Sequence, residues 1–445
     1  MLTGASISGD YDKNMEKLKN EIEASVKMIR EKAGETGKVI ALVSGGVDGM
    51  VTAALLLKAL PAENIYAIHV DHGFMRKNES AEVKGMLEGF GFKNVAVVDA
   101  RNEFLNERAE IDGKLMPPLC EVTDPEQKRK IIGNMFIKIV KQAADTFGLD
   151  YNKVFIAQGT LKPDLIESGN SQLIKDSGGF VKTHHNDVDI VRKAREKGMI
   201  IETNWNWYKE DVRQAARILG IAEATASRQP FPGPGLAVRI VCAAETIKIN
   251  DENNNKFKEF LKSTNISGII APVLSVGVGG GARSYKNPAV LYGEADFDKL
   301  AKITAEMPDK LDFINRCAYV LNKKSIDKLI CGKLLLSEQS AELVRGIDYI
   351  ITDEINKYLK AGGKNITQYF GVLLPVNSGG AGKYSAVIRA VITTDFMTGR
   401  AALPGVDIPV EVLSGIADRI AAEHSEIDLV LYDMTGKPPA TVEWE

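Results

Sequence analysis

The stretch KVIALVSGGVD, residues 38–48, constrains this chain more than any other. An apolar run ends in two glycines and an aspartate, and VTAALLLKAL follows at residues 51–60. A short continuous apolar run of this kind reads as a buried strand, and the ten residues after the turn read as a helix. Glycines let the backbone turn sharply between the two. The unit is therefore strand, tight turn, helix, and the question is whether it repeats.

It does. IYAIHVD (65–71) reads as a second strand, a helix follows around residues 79–88, and NVAVVDA (94–100) reads as a third strand. KVFIAQG (153–159) is a further strand, leading into a polar loop rich in Gly, Ser and Asn, and DVRQAARILG (211–220) is a helix. Strands alternating with helices over short connections define an α/β chain: a parallel sheet with helices on both faces. Ahead of it, Met15, Leu18, Ile22, Val26 and Ile29 recur at helical spacing, so an amphipathic helix over 12–33 is expected, ended by Gly34 and Gly37.

PFPGPG at 230–235 holds three prolines and two glycines and cannot continue a helix. It marks the expected boundary between a first domain, 1–235, and a smaller α+β domain, 236–445. At about 150 residues per domain, 445 residues suit two to three. In the second domain LAVRIVC (236–242) reads as a strand. NDENNNKFKEF (250–260) and SVGVGGGARSY (275–285) read as exposed loops.

Lys plus Arg number 56 against 59 Asp plus Glu, a formal net charge of −3, which argues against a protein that coats nucleic acid or an anionic membrane. No run approaches the ~18 apolar residues of a membrane span, and the N-terminus does not have the make-up of a secretory signal. Cys120, Cys242, Cys317 and Cys331 lie far apart without metal-ligand spacing, as reduced thiols of a cytoplasmic protein do.

The chemistry concentrates at Ser44, Gly45, Gly46, Val47 and Asp48. A glycine turn opening a helix presents backbone N–H groups and a helix N-terminus to an anion. An aspartate beside phosphates can hold Mg²⁺, which takes few carboxylates plus phosphate oxygens. The pattern is neither GxxxxGK[ST] nor GxGxxG. On local sequence alone, a plain strand-to-helix turn explains it equally well.

Wider context separates the two readings. SGGVD resembles the signature of PP-loop ATP pyrophosphatases. VDHGFMRK (70–77), DPEQKRKIIG (124–133), AQGTL (157–161) with PD and IES, KTHHN (182–186), PFPGPGL (230–236), and YD with KPPATVEWE at 432–445 are all similar to segments of GMP synthase. That resemblance implies the PP-loop fold followed by a dimerisation domain. It also implies ATP-dependent amination of XMP to GMP through an adenylyl intermediate, releasing AMP and pyrophosphate. Ser44, Gly45, Gly46, Val47, Asp48, Val70, Gly159 and Thr160 would then receive ATP, with Asp48 on Mg²⁺. Lys182 would belong to a segment closing over the phosphates. Arg76, Arg283, Lys383, Lys437, Val442 and Glu443 would contact the substrate nucleotide.

The chain departs from the family pattern at several of these motifs. Gly49 and Met50 stand where a hydroxyl residue is usual, Gly281 where an aspartate is, Gln229 where a histidine is, and Lys383 where one subgroup has a glutamine. Two other readings therefore stand beside the synthase: a nucleotide-binding regulatory relative with little turnover, and a PP-loop enzyme with another acceptor. Arg76 and Lys77 also suit plain surface charge, His184 and His185 a loop rather than a metal pair, and Trp205 and Trp207 core or rim positions rather than base stacking. No cysteine sits in a glycine-flanked elbow with a matching histidine, so ammonia is expected from solution or from a separate glutaminase subunit. A homodimer is expected from the resemblance.

Overall fold

The computed structural model describes residues 4–150, 153–159, 197–262, 264–279, 282–294, 296–394 and 398–445. Helix α1 (Gly4–Ala33) precedes β1 (Val39–Leu42), and α2 (Val47–Ala59) leaves the glycine turn. Then come β2 (Ile65–Asp71), α3 (Glu79–Gly89), β3 (Asn94–Asp99) and α4 (Arg101–Asn106). A small hairpin of β4 (Glu110–Ile111) and β5 (Lys114–Leu115) leads to α5 (Pro125–Thr146). Strands β6 (Phe155–Gln158) and β7 (Ile200–Glu202) and helices α6 (Lys209–Ile218) and α7 (Glu223–Ala226) follow.

Strands β3-β2-β1-β6-β7 form one sheet in that order, every neighbour parallel. Alternation along each strand assigns its side chains to two faces. Val39, Ala41, Ile65 and Ala67 pack with Leu18, Ile22, Val26 and Ile29 of α1 and with α2 and α6. Ile40, Tyr66, Ile68 and Val70 pack with Ile131, Met135 and Ile139 of α5 on the other face. Each fully buried Val, Leu or Ile contributes about 1.5–3 kcal/mol, so these stripes fix which face each helix covers. Asp124 starts α5 by accepting from the Gln127 N–H at 2.7 Å, with Pro125 at the first helical position. The sheet runs outward on both sides of β1, so the carboxyl end of β1, next to β6, is the place where an open α/β sheet offers a crevice.

Helix α8 (Asp251–Lys262), β8 (Ser267–Ile270), β9 (Ser275–Gly279), β10 (Ala282–Tyr292), α9 (Phe297–Lys310) and β11 (Ile314–Val320) continue the chain. β12 (Ile330–Cys331), α10 (Glu338–Lys360), β13 (Gln368–Leu374), β14 (Val376–Asn377) and β15 (Tyr384–Ile392) come next. Last are β16 (Arg400–Ala401), α11 (Val410–Glu423) and β17 (Ile427–Asp433). A mixed sheet of order β13-β15-β17-β11-β10-β8 organises this part, with β16 on β15 and β9 on β10.

Three expectations need correction. LAVRIVC is not a strand: Gly235–Arg239 is a 3-10 turn, and Ile240 makes one isolated bridge to Leu373. Its apolar run is continuous because both halves of the molecule pack around it. NDENNNKFKEF is largely helix α8, held by Phe257 and Leu261, which are buried four residues apart. SVGVGGGARSY supplies β9 and the start of β10, pairing Val278 with Arg283 and Val276 with Tyr285. Trp444 and Glu445 are buried as well. The Lys128 ammonium, fully buried on α5, donates to Glu445 and to the Ile240 carbonyl at 3.0 Å.

Candidate functional site

At the end of β1 the chain turns through Gly45 with φ of +85°, and a Cβ there would lie 2.4 Å from Val83 Cγ2. Only glycine meets both conditions. Gly46 caps α2, Val47 is buried in the core beneath, and Ser44 is exposed. Asp48, in the first turn of α2, accepts from Lys209 Nζ at 2.6 Å through Oδ2, while its Oδ1 is buried without a partner. Behind it, Thr52 Oγ1 and Asn204 Nδ2 donate to the Asp48 carbonyl at 3.0 and 3.2 Å. Gly159 at the end of β6 lies so close that a Cβ would be 2.9 Å from that carbonyl. Arg228 closes the other side, donating to the Gly45 carbonyl at 3.1 Å and to Glu82 at 2.6 Å.

Ser44, Gly46, Asp48, Gly159 and Arg228 border a cavity of about 380 Å³, also lined by Gly49, Val70 and Phe231 of the proline-rich segment. The volume suits a small ligand. Gln158 Oε1 also lies buried without a partner on this cavity's wall. An orphaned carboxylate oxygen beside a glycine turn fits Mg²⁺ held by one carboxylate plus ligand phosphates. Met50 points into the core, so of the two positions lacking a hydroxyl only Gly49 faces the cavity.

The expected substrate residues do not line this one cavity. Arg76 lines a neighbouring space of about 790 Å³ between residues 71–81 and the start of α10; His72, Met75 and Glu79 line both spaces. Lys383 is exposed on a third, of about 510 Å³, which shares Ser337 and Gln339 with the second. Arg283 donates to Glu126 at 2.7 Å, as does the Tyr285 hydroxyl at 2.9 Å. Burial works against the Glu126 charge, but Arg283 outweighs it and lowers the carboxyl pKa. Val442 packs against the core of the mixed sheet, and the Lys437 backbone bonds to Gly399. Glu443 is clamped by Arg239 through two bonds of 3.1 Å. Thr160, Lys182 and Gly281, with His184 and His185, lie outside the described residues. Trp207 is a core residue whose indole donates to Glu21 at 2.9 Å, whereas Trp205 is exposed on the turn before α6.

Sequence reasoning missed Lys209, Arg228, Arg239 and Gln158. Only Lys209 carried a signal: a cation at the first position of a helix opposes the dipole there, so its partner had to lie elsewhere. Burial lowers the Arg76 pKa, with Asp348 opposing. For Arg239 burial acts the same way, but Glu443 and Asp348 outweigh it and the pKa rises.

A parallel sheet with a glycine turn at the carboxyl end of its central strand, followed by a mixed α+β sheet, defines an α/β chain of the PP-loop type. Residues 354–444 match the family model described as the GMP synthase C terminal domain. The chain is similar to the glutamine-hydrolyzing GMP synthase of Dictyostelium discoideum, 34% identical over 92% of this chain and 62% of that protein. It is also similar to probable glutamine-hydrolyzing GMP synthases of Caenorhabditis elegans (32% identical, 96% of this chain, 66% of that protein) and Leptospira interrogans (33%, 95% and 67%). The chain belongs to the GMP synthase family. It spans about two thirds of the length of these relatives.

Proposed function

We propose that the chain catalyses ATP-dependent amination of XMP to GMP through an adenylyl-XMP intermediate, releasing AMP and pyrophosphate. The observation that carries this reading is the glycine turn bordering a cavity lined by Asp48, whose Oδ1 lies buried without a partner, in a member of this family. Residues 1–235 would form the ATP pyrophosphatase unit and 236–445 the dimerisation unit of a cytoplasmic homodimer. Ammonia would come from solution or from a separate glutaminase subunit.

ATP phosphates would rest on the backbone N–H groups of residues 44–47 and on the start of α2, with Ser44 Oγ able to donate. Asp48 would hold Mg²⁺ through its free oxygen, and the ion would neutralise charge on the departing pyrophosphate. Lys209 fixes the other Asp48 oxygen and places a cation beside the same phosphates, where developing charge is greatest. Val70 and Gly159 would border the nucleoside, and Thr160 and Lys182 would approach the phosphates. The acceptor would lie towards Arg76, with Arg283, Lys383, Lys437, Val442 and Glu443 as its expected contacts.

The test incubates the full chain with ATP, Mg²⁺, XMP and ammonium and measures AMP, pyrophosphate and GMP. Equimolar AMP and GMP are expected. Binding of both nucleotides with no AMP would overturn turnover in favour of a regulatory relative. Pyrophosphate release with another nucleotide but not XMP would move the acceptor class.

A further inference from the structure

A line of charged groups joins the segment carrying Glu443 to the glycine turn, and its members come from five separate parts of the chain. Glu443 is clamped by Arg239, whose Nη1 donates to Asp348 Oδ1 at 3.1 Å. Asp348 Oδ2 faces Arg76 Nε at 3.9 Å. The Arg76 backbone N–H donates to Glu79 Oε2 at 3.0 Å. Glu79 Oε1 lies 3.5 Å from Arg228, which donates to the Gly45 carbonyl at 3.1 Å. Arg239, Asp348 and Glu79 are each at most 3% exposed. Burial this deep weakens screening and makes each link sensitive to its neighbours.

Asp348 is the hub. It sits within α10, and its Oδ1 also accepts from the Gly371 N–H at 3.1 Å, so the carboxylate is fixed from two sides. It faces two guanidiniums that both lie over the Phe231 ring, with Arg76 4.3 Å and Arg239 5.2 Å from the ring centre. The Arg239 side of the hub is hydrogen-bonded, while the Arg76 side is not: Arg76 Nε is buried and donates to nothing. That incomplete link is where a ligand on Arg76 would change the line.

We propose that Asp348 is a positioning residue that couples occupancy of the acceptor side to the glycine turn receiving ATP. This rests on the functional reading above, which sets the acceptor at Arg76 and Glu443. An anion drawn to Arg76 shifts its guanidinium against Asp348, and the backbone bond to Glu79 carries the adjustment through Arg228 to Gly45. Linkage makes the effect reciprocal, so ATP also tightens the acceptor.

The test measures binding of α,β-methylene-ATP with Mg²⁺ to the full chain, with and without saturating XMP, in wild type, Asp348→Asn and Arg228→Gln. XMP is expected to tighten the analogue at least about fivefold in wild type. In both variants that factor should fall to near one. Arg228 lines the ATP cavity, so Arg228→Gln is also expected to weaken the analogue alone, and the ratio with and without XMP, not the affinity, is what is read. A role confined to stability would lower the melting temperature and leave the factor intact, overturning the proposal. If Asp348→Asn fails to fold, Arg228→Gln, at a partly exposed position outside the hub, carries the same test. XMP binding to wild type without any response of the analogue would overturn this inference alone. No XMP binding to wild type would overturn the functional reading and this inference with it.

Discussion

Restoring a hydroxyl at position 49 tests the cavity most directly. A Cβ on Gly49 would meet the Leu42 carbonyl at 3.6 Å and Val43 Cα at 3.8 Å, both ordinary contacts, so serine enters without displacing anything. Within α2 the exchange gains helix propensity of about 0.5 kcal/mol. The hydroxyl would face the cavity bordered by Ser44 and Asp48, and one hydrogen bond to a charged phosphate is worth about 1.5–3 kcal/mol. At about 1.4 kcal/mol per factor of ten, Gly49→Ser should raise kcat/KM for ATP by about 10- to 100-fold in a pyrophosphate-release assay with XMP and ammonium. Gly49→Ala is the control: it stabilises the helix at least as well, offers no donor and should leave kcat/KM unchanged. If Gly49→Ser is more stable to urea yet shows unchanged kcat/KM, phosphate does not pass this point and the placement of ATP is refuted.

Other expectations follow from the same geometry. Lys209→Met strips the Asp48 carboxylate of its cation and should lower pyrophosphate release at least about tenfold. Since both side chains keep some solvent exposure, 18% and 29%, urea unfolding should shift by no more than about 1 kcal/mol. Glu445→Gln leaves the buried Lys128 ammonium without its counter-charge and should cost about 3–5 kcal/mol in urea unfolding, with Lys128→Met restoring most of it. Burial pushes the His72 pKa down to about 4, with Asp71 opposing. Its folded value thus lies below the unfolded one of about 6.5, so the unfolded chain takes up the proton first. The stability that His72 contributes is complete above pH ~6.5 and is lost as pH falls towards 4. His72→Asn, which keeps an acceptor for the Phe74 N–H, should flatten that part of the stability profile.

The first sheet was legible because its strands are short apolar runs bounded by turns. The runs at 65–71 and 94–100 match β2 and β3 to within a residue. The second half was harder, since its order depends on partners far along the chain. The glycines of β9 read as a loop, yet their absent side chains are what lets another segment approach: a Cβ on Gly277 would lie 2.8 Å from the Pro439 carbonyl. The Val276 and Val278 N–H groups donate to the carbonyls of Trp444 and Pro439. The glycine turn was legible as a unit, whereas its supporting charges were not. An arginine such as Arg228 or Arg239 looks like any surface cation until folding surrounds it with carboxylates.

The bond between Lys128 and Glu445 spans 317 positions. During synthesis α5 emerges long before its counter-charge, and a lysine cannot be sealed into an apolar layer alone without a penalty of several kcal/mol. The parallel sheet and the apolar face of α5 can pack early, but the Lys128 ammonium gains its carboxylate partner only once residue 445 is made. A chain cut before Glu445 is therefore expected to leave the Lys128 ammonium without its buried counter-charge and α5 more open to protease.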